Sequence, residues 1–368
     1  MKKDRESKYE TLRIVSMFMI VIWHILIHGH VLGNTTGGLQ NVLRLVEVLL
    51  AVHVNSFILV TGYFQSSAEF KLKNFWRLNN AAWFYRVVII TAFSLLGIMT
   101  FGRVDIVKNI IPIDFGFYWF LDIYLILYLI SPFLNILIKA IKKSEFEKLI
   151  IVSFILFSLL PTLTRQQAYY NIGGSSLVTF VMLYFVGAYL RLYKEEISRK
   201  LKELFKCKNV ITYLCIFIVL ATLNYVSYRF GISILDKGRL VNELGTTLVS
   251  ATFAYDNPLV ILGSISYFLL FTSFNFTSSL INKLSPYVFG VYLISDNPYV
   301  RIKLYELFGL YEGKEVTSYF IIIKIIVIAI VIFVGCIVIE YLRVKLFSLT
   351  SQLFKRLVHP VFKAHYFK

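Results

Sequence analysis

The sequence predicts an all-α fold, a polytopic membrane helix bundle of about ten transmembrane helices with both termini in the cytoplasm. Three observations carry that expectation. The 368 residues are 58% hydrophobic and only 16% charged, with a mean hydropathy of +0.71, where soluble domains carry about 25% charged residues. The apolar residues gather into runs of about 18 or more, long enough to cross a hydrocarbon core roughly 30 Å thick. Lysine and arginine concentrate in the short segments between those runs.

In chain order the apolar runs fall near 11–32, 39–64, 80–100, 117–138, 149–164, 176–193, 209–228, 257–275, 286–305 and 318–341. The first follows a charged start, Met1 to Glu6, has no Ala-x-Ala cleavage site and is too long for a signal-peptide core, so it reads as a retained anchor. The stretch from Leu244 to Phe274 has room for one span and a re-entrant piece. Tyr193 to Lys208 spaces Ile197, Leu201, Leu204 and Phe205 helically opposite a basic face, as an interfacial helix on the inner leaflet does. A cytoplasmic N-terminus assigns about 26 of the 38 Lys and Arg residues to the cytoplasmic side, and the opposite orientation fares worse. No linker or polar block exceeds about 25 residues, so residues 1–345 read as one transmembrane domain and 346–368 as a basic cytoplasmic tail.

This composition excludes a soluble enzyme, a disordered chain and a disulfide scaffold. The net charge of +17 serves topology and does not point to nucleic acid. Cys207, Cys215 and Cys336 are scattered without CxxC spacing, so no metal site follows from them.

The informative residues are the polar ones inside apolar runs, because a central charge costs roughly 2.5–3.5 kcal/mol to insert and survives by facing a cavity or a partner. Arg13 and His24 share the first run. Eleven residues put them about 16 Å apart and within some 20° of one helix face. His24 reads as a general base or acyl relay, or as a neutral histidine hydrogen-bonded to a neighbouring helix. His28, one turn on, makes a His24/His28 metal pair conceivable but has no third ligand nearby in sequence. The second run holds His53, Asn55, Thr61, Gly62 and Tyr63, preceded by Arg44 and Glu47 at ion-pair spacing; Gly62 also reads as a close-packing residue. The fourth holds Trp119 and Asp122, with Trp119 either a substrate contact or an interfacial belt anchor. The ninth is interrupted by Ser295, Asp296, Asn297 and Pro298, with Arg301 following, which should break the helix and open a polar cavity. Lys71, Lys73 and Arg77 form a basic loop that either holds phosphates or serves topology.

Together these pieces resemble acyltransferase family 3, the integral-membrane acyltransferases that modify surface polysaccharides. The resemblance runs through Leu12-Arg13, Trp23-His24, Asn55-Ser56-Phe57, Val60 to Phe64, Tyr118-Trp119-Phe120, Tyr128 to Asn135 and Tyr292 to Pro298. It implies that Arg13 and His24 carry the activity. It implies too that acetyl-CoA or another acyl-CoA is the donor substrate, with no permanently bound cofactor. The acceptor would be a sugar hydroxyl of a surface or capsular polysaccharide or its lipid-linked precursor, at a bacterial plasma membrane. The family's Ser-Gly-Tyr/Phe element corresponds to Thr61-Gly62-Tyr63, with Thr in place of Ser. Where relatives often have a late histidine this chain has Ser295, so that role would pass to Asp296 or be dispensable.

On that reading His24 is the base, Asp296 fixes its tautomer, and Asn55 or Tyr63 steadies the oxyanion. Thr61, Trp119, Asp122, Ser295 and Asn297 complete the substrate-binding set, and Lys71, Lys73 and Arg77 meet the donor's phosphates. No metal is expected, and oligomeric state is left unassigned. The rival reading is a transporter or flippase for lipid-linked sugars, which also suits buried charges and a Pro-broken helix. A polysaccharide polymerase would be marked by a long outer loop, and the longest here is only about 25 residues.

Overall fold

A computed structural model describes residues 5–111, 116–164, 173–205, 209–235 and 237–366, and Cys207 lies outside them. The described residues form helices and no strand. In order these are α1 (Ser7–His28), α2 (Gly37–Leu50), α3 (His53–Gln65), α4 (Leu72–Leu95), α5 (Arg103–Ile110), α6 (Trp119–Ala140), α7 (Lys143–Phe154) and α8 (Leu160–Thr164). They continue with α9 (Leu177–Phe205), α10 (Asn209–Ile234), α11 (Arg239–Ala251), α12 (Pro258–Thr272), α13 (Ser279–Leu284), α14 (Val288–Ser295), α15 (Pro298–Leu307) and α16 (Phe320–Tyr366).

Among the described residues, seven helical stretches are long and apolar enough to cross a membrane: α1, α2 with α3, α6, α7 with α8, α9, α10 and the first part of α16. The expected count of ten differs at three places. The expected 80–100 span lies in α4, which starts earlier and carries Asn79 and Arg86 on its buried side. The eighth, α12, is apolar but only 15 residues long. The ninth is split into α14 and α15. One further departure is local: residues 51–52 interrupt the second run between α2 and α3. Where the sequence predicts a surface helix, the chain kinks at a non-helical Tyr193 and a second helical piece runs on to Phe205, with 206–208 outside the described residues. The basic segment after 345 extends α16, which is helical to Tyr366.

Helix α1 runs through the middle of the bundle, packed against α2, α3, α12, α14 and α16. Because it is surrounded, its polar residues face protein and not lipid. The reverse holds for α16, where Val327, Val331, Val334 and Val338 stay exposed and present an aliphatic face suited to acyl chains. The Arg44–Glu47 pair expected from spacing forms at 2.7 Å.

Helices α3 and α9 cross where two glycines meet. A Cβ on Gly62 would enter the carbonyl of Tyr184, and one on Gly187 would enter that of Leu59. Association inside a bilayer lacks a hydrophobic drive and depends on such close backbone contact. Gly62→Ala is therefore expected to cost ~1–3 kcal/mol through overpacking. Purified protein in detergent should melt lower, and an unchanged melting temperature would show that this crossing yields freely.

Candidate active site

The break between α14 and α15 follows from three residues in a row. Pro298 cannot donate to the preceding turn and takes the first position of α15, where no donor is needed. Asn297 is extended (φ −58°, ψ 125°), and its Oδ1 accepts from the backbone N–H of Tyr299 and Val300. Its amide donates to Tyr118 Oη at 3.0 Å, and Tyr118 in turn donates to the Leu293 carbonyl at 2.7 Å, which ties the break to the start of α6. Asn297 and Ser295 are thus spent on structure, since Ser295 Oγ donates to Val291 O at 2.8 Å within its own helix.

Asp296 is what the break presents. Buried at 6% exposure, its Oδ1 lies 3.6 Å from Nδ1 of His24 and 3.0 Å from Nη1 of Arg301. The same guanidinium nitrogen stands 3.3 Å from Nε2 of His28, whose ring centroid is 5.2 Å from that of His24. Arginine only donates, so His28 accepts through Nε2 and keeps its proton on Nδ1. His24 Nδ1 is buried with no hydrogen bond, slightly beyond reach of the carboxylate, and its side chain keeps 13% exposure. Catalytic hydrogen bonds often stand long without substrate and tighten on binding.

Ligand atoms of His24, His28 and Asp296 lie within 4.8 Å of one another, a spacing a metal ion could use. Arg301 already takes Asp296 Oδ1 and His28 Nε2, so a cation would have to displace a guanidinium. The four residues fit proton handling better: a carboxylate balances imidazolium charge, and Arg301 fixes the carboxylate.

Beside this cluster Trp23 stands edge-on to His53 at 5.1 Å, and Trp119 stacks on Tyr255 at 5.7 Å. Trp119, partly buried, thereby has one ring face covered by protein. Asn55 donates from Nδ2 to Tyr255 O at 2.9 Å, and its Oδ1 is buried without a partner. Asp122 accepts from the Gly116 N–H at 2.6 Å, at the entrance to α6. Tyr63 is elsewhere. It lies ten residues along α3 from His53, about 15 Å away, packed on Tyr9 with Arg191 over its ring. It therefore cannot steady an oxyanion at His24.

At the far end of α1 a cavity of about 560 Å³ opens between α1, α4, α14 and α16. Arg13 and Thr61 line it, with Phe57 and Phe120 among the apolar walls. Arg13 pairs with Glu10 at 3.0 Å. Of the three cations expected at the donor's phosphates, Arg77 lines this cavity. Lys71 pairs with Glu69 at 3.4 Å and, like Lys73, is exposed.

The family model for the acyltransferase 3 domain matches residues 7–341, nearly the whole chain. The chain belongs to acyltransferase family 3. No curated protein and no solved structure matches it. As a member of acyltransferase family 3 it is a multi-pass membrane acyltransferase, and Arg13 and His24 then occupy the two ends of one buried helix. Residues the sequence reading left out of the site are Arg301, His28, His53, Glu340 and Arg343. His28, His53 and Arg301 stand out in the sequence as polar residues in or beside apolar runs but carry no assigned role there, and Glu340 has the same kind of signal as a lone carboxylate in the run 318–341.

Proposed function

We propose that the protein is an O-acyltransferase, with acetyl-CoA the favoured donor, that moves an acyl group to a sugar hydroxyl of a surface or capsular polysaccharide or its lipid-linked precursor. One observation carries the reading. A cation-lined cavity and an imidazole–carboxylate pair lie on one face of α1, about 16 Å apart, a distance that the phosphopantetheine arm of coenzyme A bridges. The positive-inside distribution supports a cytoplasmic Arg13 end and cytoplasmic chain termini, and the proposed surface-polysaccharide acceptor is what favours a bacterial plasma membrane. Family membership favours transfer over a flippase.

In this mechanism Arg13 and its neighbours hold the donor's anionic end, and the thioester reaches His24. His24 accepts the proton of the sugar hydroxyl as the oxygen bonds to the acyl carbon. The carbon–sulfur bond then breaks, and the imidazolium returns its proton to the leaving thiolate. Asp296 stabilises the imidazolium in between, held in place by Arg301. Asn55 gives one Nδ2 hydrogen to the Tyr255 carbonyl, and its second Nδ2 hydrogen is the donor this reading assigns to the developing oxyanion.

Mass spectrometry of envelope glycans from cells with and without the protein tests the reading: an acyl ester should vanish with it, and identical glycans would overturn it. The orientation has its own test in a background lacking the native cysteines. A cysteine at Lys202 should be labelled by an impermeant maleimide only from the cytoplasm, and one at Asn34 only from outside. Reversed labelling would move the donor side to the wrong compartment.

A further inference from the structure

The cavity at the Arg13 end is lined from an unexpected quarter. Helix α16, whose first part is the most apolar of the seven candidate spans, contributes Glu340 and Arg343 to its wall, together with Arg77 of α4, Arg13 of α1 and Arg5 just before α1. Four arginines thus face two carboxylates, Glu10 and Glu340, and the cavity keeps a positive excess suited to a polyanion.

Arg343 is also the best held of the four. Its Nε and Nη2 donate to the two oxygens of Glu340 at 2.7 and 2.6 Å, and Glu340 in turn accepts from Tyr85 Oη at 2.6 Å. The guanidinium lies over the rings of Phe84, Tyr85 and Phe347 at 5.7–5.8 Å, which fixes its plane. Glu340 itself, 4% exposed, is seated on Gly290 of α14, where a Cβ would come within 2.5 Å of the Glu340 side chain. The fork with Glu340 uses Nε and one Nη2 hydrogen, and arginine has five N–H donors, so the Nη1 edge remains for a second anion. A donor fixed in advance loses little freedom on binding, which converts more of each hydrogen bond into affinity.

We propose that Arg343, oriented by Glu340 and Tyr85 and assisted by Arg77, clamps the phosphates of the acyl donor. Arg343 acts on binding and takes no part in the chemistry at His24. The assignment rests on the reading of acyl-CoA as donor. Phosphate is also the chemistry of lipid headgroups, and an arginine near the membrane surface could serve only as a lipid anchor, so the test must separate the two.

The experiment compares acetyl-CoA with acetyl-pantetheine, which has the same thioester and arm but no phosphate, in membranes or proteoliposomes containing the full chain. Arg343→Ala should raise the apparent KM for acetyl-CoA about tenfold to a hundredfold, the range for losing a charge-assisted hydrogen bond, with kcat held within about twofold. The kinetics with acetyl-pantetheine should not change. Arg343→Lys should recover part of the affinity, and Arg77→Ala, at an exposed position, should show a weaker shift of the same kind. A lipid anchor or a packing defect would penalise both donors alike, and that result would overturn the clamp. If Arg343→Ala fails to reach the membrane, Arg343→Lys and Arg77→Ala carry the comparison, and unchanged acetyl-CoA KM in both would overturn it equally. Wild-type protein that turns over no acyl-CoA at all would instead bring down the donor reading, which distinguishes the two failures.

Discussion

Replacing His24 by alanine is expected to lower acyl transfer by about 10²- to 10⁴-fold, the usual contribution of a general acid–base group. The protein should still reach the membrane, because the substitution removes a polar side chain from a buried helix and leaves the apolar face of α1 unaltered. The measurement is transfer of a radiolabelled acyl group in membrane vesicles, normalised to the amount of protein inserted. The loss should fall on kcat, since the imidazole sits at the end of α1 opposite the cation-lined cavity. Activity within about tenfold of wild type would remove His24 from the catalytic role.

Asp296→Asn is expected to be nearly as severe, about 10²-fold or more, whereas Ser295→Ala should stay within about threefold. The amide keeps the shape of the carboxylate but offers the imidazolium no charge. It also leaves the Arg301 guanidinium, 3.0 Å from Oδ1, as an uncompensated cation beside the ring that must become positive. Ser295, by contrast, spends its hydroxyl on the Val291 carbonyl. Inactive Ser295→Ala with healthy Asp296→Asn would show that the hydroxyl does the work, and two active variants would reduce the break to a structural kink.

Much of this site could be read from the chain because its key pairings depend on local rules. A proline after an Asp-Asn pair breaks a helix wherever it occurs, and an eleven-residue spacing returns to the same helix face wherever it occurs. That Asp296 meets His24 follows from α14 packing on α1, a contact between residues 272 positions apart that no pattern encodes. The roles of Arg301, which the sequence singles out, and of Arg343, which it does not, are hidden for a different reason. In a chain where most cations mark topology, a cation at the end of an apolar run looks the same whether it faces water or turns into a cavity. The difference in span count has a third cause. Run length marks 80–100 as a span, whereas α4 carries Asn79 and Arg86 on its buried side, where the Lys108 and Ile111 carbonyls accept from the Arg86 guanidinium.

The placement of Arg13 and His24 on one uninterrupted helix has a consequence for how such a protein can change. Helix α1 behaves as a ruler: its rise per residue sets the distance from anion to imidazole, and its pitch sets where both point. Loops on either side can lengthen, shorten or take new acceptors without altering that measure. A single residue added between 13 and 24 would turn His24 by about 100° away from Asp296 while shifting it only about 1.5 Å. Variation in what is acylated is therefore cheap for this architecture, and variation in the length of what delivers the acyl group is not.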